Sequence, residues 1–114
     1  MVRSKVAIII PAFNEEETIT KVVKEATKFG KVIVIDDGSL DKTGEKAKRS
    51  GAILQIHKAN LGYDAALNTG FKKAVKLKFN FIITLDADGQ LEPKLLKKFI
   101  DVLNTGVSII LGVR

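Results

Sequence analysis

Short β-branched runs alternate with helical stripes along the whole of this sequence, and that alternation leaves few folds open. Lys5–Ile10 is a β-branched run closed by Pro11, which reads as a buried strand. Val32–Ile35, a weaker Ile53–Ile56, Phe81–Leu85 and Val107–Leu111 supply four more strands. Between the first two, Ile19, Val22, Val23 and Ala26 recur at i, i+3, i+4, i+7, the spacing of one helical face. Asn14-Glu15-Glu16-Glu17 ahead of that stripe resembles a capping box, with Asn14 accepting from the first free N–H groups and Glu17 reaching back. Gly30 is expected to end the helix. Asp41 is placed to cap a short helix running to about Ser50. Asn60-Leu61-Gly62 reads as a turn before a helix from about Asp64 to Val75, whose packing face carries Ala66, Leu67, Gly70, Phe71 and Ala74. Pro93 suits the first turn of a last helix, marked by Leu95, Leu96, Phe99, Ile100 and Leu103.

Five strands separated by helices predict an α/β, Rossmann-like fold: a mainly parallel sheet with helices on both faces. The chain of 114 residues makes one domain, 1–114, with no internal repeat, linker or low-complexity tract. In such sheets ligands sit outside the carboxyl ends of the strands. The polar residues collect there. Strand one runs into Pro11-Ala12-Phe13-Asn14-Glu15, strand two into Asp36-Asp37-Gly38-Ser39, and strand four into Asp86-Ala87-Asp88.

Several function classes drop out. No apolar run approaches the roughly 18 residues of a membrane-spanning helix, and the start has no signal-peptide anatomy. Cysteine is absent, so there is no disulfide framework and no thiolate metal site. A cytoplasmic protein is expected, and the lysine- and glutamate-rich, cysteine-free composition would suit a thermophile. The net charge of +6 fits either attraction to phosphate-bearing substrates and anionic surfaces or a solvated lysine surface, since the lysines are spread along the chain. Nucleic-acid binding is not expected, for want of an RNP-like aromatic motif or a Cys/His finger. No Gly-x-Gly-x-x-Gly, phosphate loop or nucleophile elbow occurs. His57, the single histidine, is read as a packed or rim residue without an evident partner.

Two constellations carry chemistry. Asp86 and Asp88 flank one alanine at the end of an apolar strand, and two carboxylates that close repel unless a cation lies between them or one is protonated. A hard divalent ion such as Mg²⁺ or Mn²⁺ takes oxygen ligands, and Gln90 adds an amide oxygen two residues on. Asp36-Asp37-Gly38-Ser39 could cap a helix, or a carboxylate there could accept from a base N–H and a ribose hydroxyl.

Together these pieces resemble a family. The run Val6-Ala7-Ile8-Ile9-Ile10-Pro11-Ala12-Phe13-Asn14-Glu15-Glu16 is similar to the opening of the inverting glycosyltransferase family two. Val32–Ser39, Asn60-Leu61-Gly62, Ala65–Gly70 and Asp86-Ala87-Asp88-Gly89-Gln90 follow in the family's order and spacing, nearest to its dolichol- or polyprenol-phosphate mannosyltransferase-like branch. The resemblance implies a nucleotide-diphospho-sugar transferase fold that binds a UDP- or GDP-sugar with Mg²⁺ or Mn²⁺ and transfers the sugar, with a polyprenol phosphate as an acceptor. It implies that Pro11, Phe13 and Glu15 line the nucleoside pocket and that Ile35 and Asp37 hold the base. Asp86 and Ala87 would lie against the nucleotide, while Asp86, Asp88 and Gln90 hold the metal. Arg114 would bind the diphosphate, in a Gly112-Val113-Arg114 run where the family has Gly-Ser-Arg. It assigns no catalytic base. Family chains continue further, so the chain is expected to be the N-terminal, nucleotide-sugar-binding half. The sheet would then have an unfilled slot beside the fourth strand or an extra exposed edge, closed by self-association or a completing subunit. The alternative is a nucleotide-binding module or truncated remnant without transferase activity of its own.

Overall fold

The computed structural model describes residues 5–85 and the backbone of 110–113. Its elements are β1 (Val6–Ala12), α1 (Ile19–Thr27), β2 (Lys31–Asp37), α2 (Thr43–Arg49), β3 (Ile53–His57), α3 (Tyr63–Lys76), β4 (Phe81–Leu85) and β5 (Ile110–Val113). The expected last helix, Pro93–Leu103, lies outside the described residues, as do 107–109 of the expected fifth strand.

Strand periodicity decides which side chains meet which helices. Along β1, Val6, Ile8 and Ile10 point to one face and Ala7 and Ile9 to the other, because successive side chains alternate. The first set packs with Val32 and Val34 of β2, Phe81, Ile83 and Leu85 of β4, and the α1 stripe Ile19, Val22, Val23 and Ala26; Ala47 of α2 joins it. The second set packs with Ile33, Ile35 and Ile82 against Ala66 and Ala74 of α3, flanked by Leu67 and Phe71. Helices therefore cover both faces, as expected. Burial on both sides explains why the strands are unbroken apolar runs, and each fully buried isoleucine contributes about 1.5–3 kcal/mol.

The sheet is parallel throughout, in the order β3-β2-β1-β4-β5. β5 hydrogen-bonds beside β4 over Ile82–Leu85, so among the described residues no slot stands open there, and β5 forms the edge of the sheet on that side. β1 runs through Pro11 rather than ending at it, pairing with β2 as far as Ala12↔Asp36. Its register with β4 stops at Ile9↔Thr84, so the proline lies past that ladder, where a missing N–H costs least.

Several local expectations at the helix ends are corrected. Asn14 does not cap α1: its φ is +52°, and its side chain accepts from Leu40 N at 2.9 Å. α1 begins instead at Ile19, where Ile19 N and Thr18 N both donate to the Glu15 carbonyl, and Thr18 holds the N-cap position. Gly30 is not a left-handed cap either. α1 ends at Thr27, and glycine is needed at 30 because a Cβ there would lie 2.8 Å from the Val6 carbonyl oxygen. At α2, Lys42 rather than Asp41 holds the N-cap position and makes no side-chain cap bond, while Asp41, one residue ahead, accepts from Thr43 N at 3.0 Å.

α3 ends in a left-handed turn built on a lysine. Lys78 has φ +63°, its N–H donates to Val75 O, and Phe79 N reaches back to Ala74 O. This is the paired bonding of a Schellman cap, which glycine usually closes. At the helix middle, Gly70 is pressed on β1: a Cβ there would overlap Cγ2 of Ile9.

Candidate functional site

The strand order fixes where a ligand can lie. β1 leads outward to β2 and β3 on one side, and β4 and β5 occupy the other. The winding therefore reverses between β1 and β4, and the crevice at their carboxyl ends is the favoured ligand position in doubly wound sheets. That crevice is approached by Pro11 and Ala12 from β1 and by Leu85 from β4, and the next residue in the chain after Leu85 is Asp86. Asp86, Ala87, Asp88, Gln90 and Arg114 lie outside the described residues.

The β1–α1 and β2–α2 loops form the described part of the rim, and they are laced together. Asn14 N donates to Ser39 Oγ at 2.9 Å while Leu40 N returns a bond to the Asn14 side chain. Asparagine tolerates the left-handed backbone this needs. Glu15 N donates to Thr43 Oγ1 at 2.8 Å, and the Thr43 hydroxyl donates in turn to Asp41. Glu16 N donates to the other Asp41 oxygen at 3.3 Å, and Lys42 N donates to the Glu16 carboxylate at 3.2 Å. Burial raises the Asp41 pKa, but the donors from Thr43 and Glu16 outweigh it, and the carboxyl sits below the usual aspartate value. Asp36 is occupied within its own turn, accepting from Ser39 N at 3.0 Å, and Gly44 leaves it room: a Cβ there would lie 2.6 Å from the Asp36 carboxylate.

Asp37 is a hub. Its Oδ1 accepts from His57 Nδ1 at 2.8 Å and Leu61 N at 2.9 Å, and its Oδ2 accepts from Gly62 N at 2.9 Å. The Asp37 carboxylate thereby holds the N-terminus of α3 to the end of β2. Burial pushes its pKa up, but the Leu61 N–H, the imidazole and the Gly62 N–H together prevail, and it is held below the ordinary value. His57 Nε2 meets Thr69 Oγ1 of α3 at 2.8 Å. The histidine is packed, as expected, but it is not alone. An ionised carboxylate can only accept, so Nδ1 carries the proton, and in the neutral ring the Thr69 hydroxyl donates to Nε2. One signal for this pair was present in the sequence: Asp37 and His57 both end their strands, and parallel pairing sets them side by side.

The remaining expected site residues are placed as follows. Phe13 is 44% exposed at the rim, Pro11 is buried beneath it, and Glu15 is half-buried with its carboxylate accepting from the Thr18 hydroxyl at 3.2 Å. Ile35 is fully buried against α3, below the rim rather than on it. Among the described residues no group of three or more His, Asp or Glu side chains is arranged to hold a metal. Asp36, Asp37 and Asp41 each have internal partners. A groove of about 290 Å³ between α1 and α2 is lined by Thr20, Lys24, Lys46, Arg49 and Ser50. Two of its three cations are already engaged, Lys46 with the Glu16 carbonyl and Arg49 with Glu45.

A profile of the family described as Glycosyl transferase family 2 matches residues 7–114. The chain belongs to that family. An uncharacterized protein of Methanocaldococcus jannaschii is 43% identical over 98% of this chain and 47% of its own length. The UDP-N-acetylglucosamine–dolichyl-phosphate N-acetylglucosaminyltransferase of Methanococcus voltae is 32% identical over 94% of this chain and 51% of its own. Among solved structures, glucosyl-3-phosphoglycerate synthase from Mycobacterium tuberculosis, in complex with Mn²⁺, uridine diphosphate and phosphoglyceric acid, superposes with a TM-score of 0.72. It is 26% identical over 90% of this chain and 40% of that one. The chain thus spans about half the length, or less, of these proteins that it matches. No helix among the described residues is long and apolar enough to cross a membrane.

Proposed function

We propose that residues 1–114 form the nucleotide-sugar-binding half of a glycosyltransferase domain, which binds a nucleoside-diphosphate sugar with Mg²⁺ or Mn²⁺ for transfer to an acceptor such as a polyprenol phosphate. The observation that supports this reading is the strand order, whose reversal between β1 and β4 opens a ligand crevice at the carboxyl end of β4, the strand that Asp86-Ala87-Asp88 follow in the sequence.

On this reading Phe13 and Glu15 border the nucleoside and Asp37 accepts from its base. Asp86, Asp88 and Gln90 hold the cation, which, when bound, stabilises charge on the leaving diphosphate. Arg114 adds a cationic contact to the same diphosphate. The bonds between the first two loops fix the rim before substrate arrives, so less ordering is needed on binding. In the transfer an acceptor oxygen bonds to the anomeric carbon while the bond to the diphosphate breaks. A phosphate acceptor arrives already ionised, so the chain needs no base for that step. Such an acceptor would hold the protein at a membrane surface.

Calorimetric titration of UDP and GDP, with and without Mn²⁺, tests the reading on the wild type and on Asp88→Ala. Metal-dependent binding that the substitution reduces at least tenfold is expected. If neither nucleotide binds, or binding ignores both metal and substitution, the reading fails.

A further inference from the structure

The donors already on Asp37 restrict which base it can accept from. A carboxylate has about four lone-pair positions. Among the described residues three are taken. His57 Nδ1 and Leu61 N fill both positions on Oδ1, and Gly62 N fills one of two on Oδ2. The two N–H groups belong to the backbone leading into α3, and His57 is held from its far side by Thr69. The carboxylate therefore cannot turn to offer both oxygens without breaking several short bonds. Among the described residues one acceptor position, on Oδ2, is left, on a side chain that is 6% exposed.

The two bases under consideration differ in what they ask of a carboxylate. The guanine edge presents two adjacent donors, the ring N1–H and the exocyclic amino group, and is matched by one acceptor on each oxygen. The uracil edge presents one donor, N3–H, between two carbonyl groups, and is matched by a single acceptor. Resting on the reading of Asp37 as the base acceptor, we infer that this chain takes a uridine rather than a guanosine diphosphate sugar. His57 is the positioning residue that sets the preference, by occupying Oδ1 and fixing the carboxylate plane.

Substitutions at His57 separate this role from packing. In His57→Asn the amide nitrogen reaches the place of Nδ1 and keeps the donor to Asp37. In His57→Leu the volume is retained and the donor is lost. The experiment titrates UDP and GDP, each with Mn²⁺, into the wild type and both variants, with thermal melts to confirm folding. The wild type should bind UDP about tenfold or more tightly than GDP, the factor given by roughly 1.4 kcal/mol, about one unmade hydrogen bond. His57→Asn should keep most of that ratio, and His57→Leu should shrink it several-fold, chiefly by strengthening GDP, because the position freed on Oδ1 can then take the second guanine donor. GDP binding to the wild type as tightly as UDP overturns the inference while leaving the donor-site reading intact. So does a ratio that His57→Leu leaves unchanged. Binding of neither nucleotide overturns both. The wild-type ratio decides the matter even if a variant fails to fold.

Discussion

Replacing Asp37 by alanine should cost about 3–5 kcal/mol of folding stability, and the structure shows how the figure arises. Three donors lose their acceptor. Two are backbone N–H groups in a loop open to water, where Leu61 is 61% exposed, so each loss costs about 1 kcal/mol. The third is the imidazole N–H of His57, whose side chain is only 10% exposed, and stranding it costs about 1–3 kcal/mol. That is a large share of the roughly 5–15 kcal/mol that holds a domain together. Urea unfolding followed by circular dichroism at pH 7 measures the loss. The pH dependence supplies a second check. Asp37 titrates below 3.8 in the folded chain and at about that value when unfolded, so its contribution is complete above 3.8 and is lost as pH falls through the lower folded value. The gap between wild type and Asp37→Ala should therefore narrow on acidification below that point. A loss under about 1 kcal/mol at pH 7, or a gap that widens in acid, would refute the view of Asp37 as the fastener of α3.

Three further outcomes follow from the packing. Gly70→Ala should lower stability by about 1–2 kcal/mol, because overlap with the fully buried Ile9 outweighs the roughly 1 kcal/mol gain in helix propensity; a raised melting temperature would contradict the close approach. Lys78→Gly should raise stability by about 0.5–1 kcal/mol by relieving the left-handed strain at the end of α3, as a denaturant titration would show. Asn14→Ala should cost about 1–2 kcal/mol, since it loses both the bond from Leu40 and the tolerance for positive φ, and it should weaken nucleotide binding in calorimetry by loosening the rim.

What the sequence made legible was what local pattern determines. The β-branched run Lys5–Ile10 and the stripe Ile19, Val22, Val23, Ala26 located strand and helix, because burial on two faces makes a strand continuously apolar and burial on one face gives a helix its stripe. The face of α3 was readable for the same reason. The loops were misread where distant partners decide them. Asn14 has the composition of a helix cap, yet Leu40 and Ser39 capture it from another loop. Gly30 looks like a helix stop, yet the Val6 carbonyl is what demands it. His57 showed no partner, because Asp37 lies 20 residues away and Thr69 12 residues away. Hydrogen bonds of that kind become predictable only once the register of β2 and β3 is known.

The position of β1 also shapes how the chain must be made. The strand lies between β2 and β4. Its first neighbour follows within one helix and turn. Its other neighbour begins only at Phe81, where Asn80 N and Phe81 N bond to Lys5 O and the Asn80 side chain accepts from Lys5 N. On a ribosome adding about 5–20 residues per second, one flank of this strand, buried along its whole length in the folded chain, stays unpaired for several seconds after it emerges. The leading unit of three strands and three helices must therefore persist with a bare flank until β4 docks. Conditions that slow elongation between Gly62 and Phe81 should expose the nascent chain to misassociation more than an equal pause elsewhere.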